Sequence, residues 1–188
     1  MTDIIVSSAA IITAATAIYG VFSWKHELKA QTAHKQAVAL KVSARRLQKA
    51  LDAFRDDRFF PTEYPDNYIW AEAPDYISEG KVLAYIYENR LRKLSSAFDS
   101  FEQTAIEAEA VLGKELRPLL EQLSMVHISA ETCFRRLAPS FEGFFNPKDE
   151  FEVAAKQFLY ADKDGDDLRS KDYERQFRNL EKFLNRFL

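Results

Sequence analysis

The amino-acid sequence predicts an all-α protein: a single N-terminal transmembrane helix continuing into an up-and-down antiparallel bundle of four to five helices. Three observations carry that expectation. The chain of 188 residues holds only five Gly and six Pro among long runs rich in Ala, Leu, Glu, Lys and Arg, which favours helix over strand. Apolar residues recur in alternating steps of three and four, the spacing of a packed helical seam. The stretch from Ile4 to Trp24, "IIVSSAAIITAATAIYGVFSW", carries no charge.

That stretch is the first element. As an α-helix it would span roughly 31 Å, the thickness of a bilayer's hydrocarbon core. Its Ile, Val and Phe residues favour insertion by roughly 2–5 kcal/mol, and the hydroxyls of Ser7, Ser8, Thr13, Thr16 and Ser23 offset part of that gain. A cleaved export signal requires a basic leading segment, whereas the charged side chain before this stretch is Asp3. Lys25, Lys29, Lys35 and Lys41 follow it, and no Lys or Arg precedes it. Basic residues resist translocation, so residues 1–24 are expected to anchor the chain in the cell membrane as a single pass. The N-terminus would then lie outside, with residues 25–188 forming a cytoplasmic bundle.

Tyr19, Phe22 and Trp24 stand where an inner-leaflet aromatic belt belongs, and Lys25 and Lys29 fall within reach of lipid headgroups. Small residues spaced by four, Ala10 with Ala14, Thr13 with Ala17 and Thr16 with Gly20, would let two such helices approach closely. A homo-oligomer joined along the face of Ala10, Ala14, Ala17 and Gly20 is therefore a candidate assembly.

No Gly or Pro interrupts residues 21–60, so the first helix is expected to run on unbroken with a seam of Ala33, Ala37, Leu40, Ala44, Leu47, Leu51 and Phe54. Its more distant cations, Lys41, Arg45 and Arg46, should be solvated or meet acids of a neighbouring helix. A second helix begins near "APDYISEGK" with Asp75 or Ser78 as cap, and carries Ala84, Tyr87, Leu91, Leu94, Phe98, Phe101, Ala105, Ala108 and Leu112. Gly113 suits its C-terminal turn. A third follows at once through Leu116, Leu119, Leu123, Val126, Ala130, Cys133 and Leu137, with Pro118 tolerated in the first turn. So short a turn dictates an antiparallel hairpin. Asn146 and Pro147 open a short fourth helix, and after "ADKDGDD" a last one follows with Tyr173, Phe177, Leu180, Leu184 and Phe187.

The connection over residues 56–80 contains three Pro and is long for a helix-to-helix link. In an up-and-down bundle it lies at the end remote from the membrane, where the later "SFEGFF" also arrives. Its phenylalanines suit a plug for the open end of the bundle. Tyr64, Tyr68 and Trp70 have polar tips among acids and are the candidate surface for a protein partner. The acid excess of this loop, and the overall charge of −3, argue against nucleic acid, because phosphate binding needs surplus Lys and Arg.

Catalytic templates fail one by one. "HELKA" lacks the second His that a zinc-protease helix needs at position 30, which is Ala. None of the three His follows a Glu by three residues, as a di-iron bundle requires. "DKDGDD" places Tyr160 and Lys171 where a calcium loop needs Asp and Glu. Cys133 sits on an apolar seam and reads as a small core residue, and a lone Cys forms no internal disulfide. His127 and Glu131 are four apart and suit a surface pair. The sequence therefore predicts a non-enzymatic interaction or scaffold module without cofactor or metal, engaging membrane lipid and an unknown protein partner. The alternatives are a homo-oligomeric membrane pore or membrane-disrupting effector, and an enzyme whose site is not recognised.

Overall fold

The computed structural model describes residues 2–56, 58–66, 68, 76–139 and 168–188; among the helical residues, the side chains of 2–12, 14, 15, 76–79, 139 and 168–170 lie outside that description. Four α-helices occupy the described residues: α1 (Thr2–Arg55), α2 (Tyr76–Leu112), α3 (Arg117–Pro139) and α4 (Leu168–Leu184). Two 3₁₀ turns, Pro61–Glu63 and Lys114–Leu116, punctuate the connections. The all-helical class holds, with no strand among the described residues. The expected short helix after Asn146, together with Phe141, Phe144 and Phe145, lies outside them.

The helices alternate in direction. Phe54 near the end of α1 meets Tyr87 near the start of α2, with ring centroids 6.1 Å apart and edge to face. Glu109 late in α2 pairs with Arg117 at the start of α3. Glu115 just before α3 pairs with Arg186 just past α4. On the remaining side α4 returns along α1: His34 Nδ1–H donates to the Phe187 carbonyl at 3.0 Å, Arg45 meets Glu181, and Arg55 lies over the Tyr173 ring. Each helix therefore packs on its neighbours in sequence, and α4 closes the ring against α1. Among the described residues these four helices form an antiparallel bundle.

Heptad-like spacing explains the core. Ala37, Leu40, Ala44, Leu47, Leu51 and Phe54 of α1 are all buried, as are Tyr87, Leu94, Phe98, Phe101, Ala105, Ala108 and Leu112 of α2. Leu116, Leu123, Val126, Ala130 and Leu137 fill the α3 side, and Phe177, Leu180, Phe183 and Leu184 fill the α4 side. Steps of three and four keep these residues on one stripe per helix, so the four stripes meet along one axis. Cys133 is half-buried at the edge of this core rather than inside it.

The α2–α3 hairpin turns at Gly113, whose φ of +100° is a conformation that a Cβ would strain. Its N–H donates to the Glu109 carbonyl at 3.0 Å, closing the C-terminus of α2 as the sequence led one to expect. The start of α2 falls within the expected "APDYISEGK": the helix begins at Tyr76, so of the two candidate caps Ser78 lies inside it, Asp75 lies outside the described residues, and Gly80, counted with the loop, is a buried helical residue. The loop at that end is correspondingly shorter, since its last residues belong to the helix.

The first helix is longer than the bundle. At 54 residues it extends about 81 Å, whereas the 23 residues of α3 cover about 35 Å. Residues 16–32 are exposed at every position; Ala33 is the first half-buried one and Ala37 the first buried one. The N-terminal half of α1 is thus an arm standing clear of the other described helices. Among the described residues no helix is long and apolar enough to cross a membrane. The membrane-spanning expectation accordingly finds no support in the fold, and much of the stretch that motivated it, the side chains of residues 4–12, 14 and 15, falls outside the described set.

Candidate functional site

Two regions bear the residues singled out from sequence: the loop end of the bundle and the free arm. At the loop end the organising side chain is Arg90 of α2, only 4% exposed. Burying a guanidinium requires that its charge and its donors find partners. Nε and Nη2 grip the two carboxylate oxygens of Glu63 at 2.7 Å each, the bidentate geometry that suits Arg. Nη1 donates to the Asp56 carbonyl, and Nη2 also reaches the Arg58 carbonyl at 2.6 Å. Above and beside it stand the rings of Phe59 and Tyr87, 5.2 and 5.7 Å from the guanidinium carbon.

One side chain of α2 therefore fastens three consecutive parts of the loop. Phe59 completes the arrangement by packing edge to face on Tyr87 at 5.9 Å. The plug role expected of the phenylalanines holds for Phe59, which packs on the core, but not for Phe60, which is half exposed. Glu63 also accepts from the Phe60 N–H at 3.0 Å, closing the 3₁₀ turn that Pro61 starts.

The electrostatics follow from these contacts. The hydrogen bond from Arg90 holds the Glu63 carboxyl below its ordinary range despite partial burial. For Arg90 itself, burial pulls the pKa down, and the hydrogen bonds and charge of Glu63 more than reverse that, leaving it raised. Asp56 is lowered to about 2, chiefly by the side-chain hydrogen bond from Arg58, whose Nε and Nη2 lie 2.9 and 2.8 Å from its two oxygens.

Just beyond this staple, Tyr64 and Tyr68 come together with ring centroids 4.8 Å apart and planes tilted by 47°. Both are half-buried. Two of the three expected partner-binding residues are thus adjacent at the loop end, and Trp70 lies outside the described residues. Arg90 was not singled out from sequence, because a single Arg on a helix ordinarily reads as solvated. The signal was its place in the string Tyr87, Arg90, Leu91, Leu94, three and four residues from buried positions, opposite an acid-rich loop.

On the arm, Ile18, Tyr19, Val21, Phe22, Trp24 and Leu28 are between 49% and 76% exposed. Lys25 and Lys29 are exposed beside them. Ala17 and Gly20 are exposed too, and apart from the local helix backbone and chain neighbours nothing lies within 4 Å of where a Cβ would stand at Gly20. The side chains of Ala10 and Ala14 are outside the described set, so the small-residue face is seen in its second half alone.

The middle of the α2–α3 interface holds a contact that sequence reasoning assigned differently. His127 stacks flat on Phe98, with centroids 4.3 Å apart and planes 3° from parallel, and its Nε2 lies 3.2 Å from Ser95 Oγ. Glu131 pairs with Arg135 at 2.6 Å and not with His127. The correction has a simple cause: the inward lean of His127 toward Phe98 takes it off the surface flank that Glu131 occupies. A hydroxyl beside an imidazole is the start of a nucleophile–base couple, yet Ser95 sits mid-helix, where the backbone N–H groups are used by the helix and cannot form an oxyanion hole.

Among the described residues no group of three or more His, Cys, Asp or Glu is placed to hold a metal ion. Lys41 and Arg45 meet Glu181 of α4 at 3.1 and 3.0 Å, as expected of cations too far along α1 for lipid. Compared with protein-family models, curated proteins and solved structures, the chain matches none.

Proposed function

We propose that this chain is a non-enzymatic interaction module: a helical bundle tethered to the cytoplasmic face of a membrane by its N-terminal arm, presenting the Tyr64–Tyr68 end to a protein partner. The observation that carries the reading is the arm. Six large apolar side chains from Ile18 to Leu28 project from a helix without tertiary support. An isolated helix of that kind is marginal in water, and burying those six would contribute roughly 5–10 kcal/mol. Lipid is the occupant that suits the order of side chains, with an uncharged stretch before, aromatic rings at Tyr19, Phe22 and Trp24, and Lys25 and Lys29 after. The remote bundle end then faces away from the bilayer, which is where a partner in solution could reach the tyrosines.

Membrane fractionation tests the tether. The full chain is expected in the membrane pellet and to resist extraction at alkaline pH, whereas a variant carrying Ile11→Asn, Ile18→Asn and Phe22→Asn moves to the soluble fraction. Recovery of the parent chain as soluble protein without detergent would refute the tether. The partner surface is tested by crosslinking in native membranes, comparing the parent with a Tyr64→Ala, Tyr68→Ala, Trp70→Ala variant. An unchanged set of crosslinked neighbours would make those rings purely structural.

A further inference from the structure

We propose that the groove between α1 and α2 around Arg46, Arg92 and Lys93 binds a small soluble phosphate compound, of the size and charge of a diphosphate. The groove has a volume of about 610 Å³ and is lined by Arg46, Arg92, Lys93, Ser96, Ala97 and Ser100. Its origin lies in the α2 register. Positions 93, 96, 97 and 100 share one helical face, and short side chains follow Lys93 there, so the flank of α2 is cut away beside α1.

Charge marks this groove. Most exposed arginines of the described helices are matched, Arg45, Arg117, Arg135, Arg175 and Arg178 each pairing with a carboxylate, whereas unbridged lysines such as Lys49 and Lys81 stand singly. Among the described residues Arg46, Arg92 and Lys93 form no such bridge, and Glu63, the acid that feels the field of Lys93, is already held by Arg90. The exposed carboxylates nearest along α2, Glu88 and Asp99, do not line the groove. An otherwise acidic chain thus collects three cations and two hydroxyls around one depression.

That set matches phosphate chemistry. Guanidinium forks take two phosphate oxygens at once, an ammonium adds a point charge, and Ser hydroxyls donate to the remaining oxygens. Three like charges lining one depression also repel one another, and an anion among them relieves that repulsion. A lipid headgroup offers the same chemistry, but α1 is continuous, and Arg46 lies about 33 Å along it from Trp24. A bilayer gripping the arm therefore cannot bring its headgroups to the groove. The inference stands whether or not the arm enters lipid.

The test is a titration of the full chain with inorganic pyrophosphate, followed by phosphorus NMR line broadening and by amide shifts of residues 92–100. Saturable binding is expected, weakening as salt rises. The double variant Arg46→Gln, Lys93→Gln should bind roughly tenfold more weakly with its circular dichroism unchanged, each exposed contact contributing about threefold. Arg135→Gln, on α3, should leave binding as it was. Absence of saturation, an unaltered affinity in the double variant, or an equal loss in Arg135→Gln would each overturn the proposal. So would binding to phosphoinositide-containing vesicles that pyrophosphate fails to compete away, because the ligand would then be a headgroup.

Discussion

Replacing Arg90 with Leu removes the fastening of the loop while keeping an apolar side chain of similar bulk beside Phe59 and Tyr87. The change deletes the bidentate grip on Glu63 and the donors to the Asp56 and Arg58 carbonyls. Truncating one member of a buried charge pair costs about 3–5 kcal/mol, because the partner is left desolvated. Here the Glu63 side chain keeps 16% exposure and can turn toward water, so the lower end applies, about 3 kcal/mol. For a chain of this length each kcal/mol moves the midpoint by roughly 2–4 °C, giving a fall in Tm of roughly 6–12 °C. The assay is thermal and urea unfolding of the parent, Arg90→Leu, Glu63→Gln and the double variant. A coupling energy of about 2 kcal/mol is expected from the cycle, since the two groups act as one unit. An Arg90→Leu unfolding free energy within about 0.5 kcal/mol of the parent, or additive single effects, would refute the claim that this pair holds the loop.

Two carboxylates of the loop end, Glu63 held by Arg90 and Asp56 held by Arg58, set an acid limb. Both Glu63 and Asp56 have folded-state pKa values below their ordinary ones, with Asp56 near 2, so their contribution is present above the unfolded values and is lost as pH falls from about 4.5 toward 2. Unfolding followed against pH should show that decline, and Arg90→Leu should flatten the part due to Glu63. Leu123→Ala, at a fully buried position of α3, is expected to cost about 3 kcal/mol by denaturant titration. Gly113→Ala should cost about 1 kcal/mol through its positive φ, with no packing penalty, since nothing lies within 4 Å of a Cβ there. Glu181→Gln should cost under about 1 kcal/mol, and less in high salt, because its bridges to Lys41 and Arg45 are partly exposed.

Repeats of three and four make the bundle readable in the sequence. Leu40, Leu47, Leu51 and Phe54 of α1, Leu116 of the turn before α3, and Leu123 and Leu137 of α3 are buried where their spacing puts them. Local periodicity suffices for such positions because each stripe has one side on which to be buried. Phe183 escaped because Leu184, one step on, already satisfied the stripe, and the stripe of α4 is wide enough to bury both. The candidate site was harder to see. Arg90 gathers Asp56, Arg58, Phe59 and Glu63 from a loop of irregular backbone, and no period relates those five residues. His127 was misassigned for the same reason, since Ser95 and Phe98 belong to another helix. Sequence spacing ranks neighbours along one element, whereas both constellations arise between elements.

An uninterrupted rod passing from the arm into the bundle also behaves as a gear shaft. Because every residue of α1 advances the screw by about 100° and 1.5 Å, whatever clamps Tyr19 to Trp24 also dictates the compass bearing of Tyr64 and Tyr68 at the opposite end. Adding a single Ala after Leu28 would swing the tyrosine end about a quarter-turn around the shaft while shifting it by only one rise. Seven extra residues would nearly restore the bearing at about 10 Å greater reach. Insertions of graded length therefore convert a tether into a protractor, reporting whether the partner reads distance or direction.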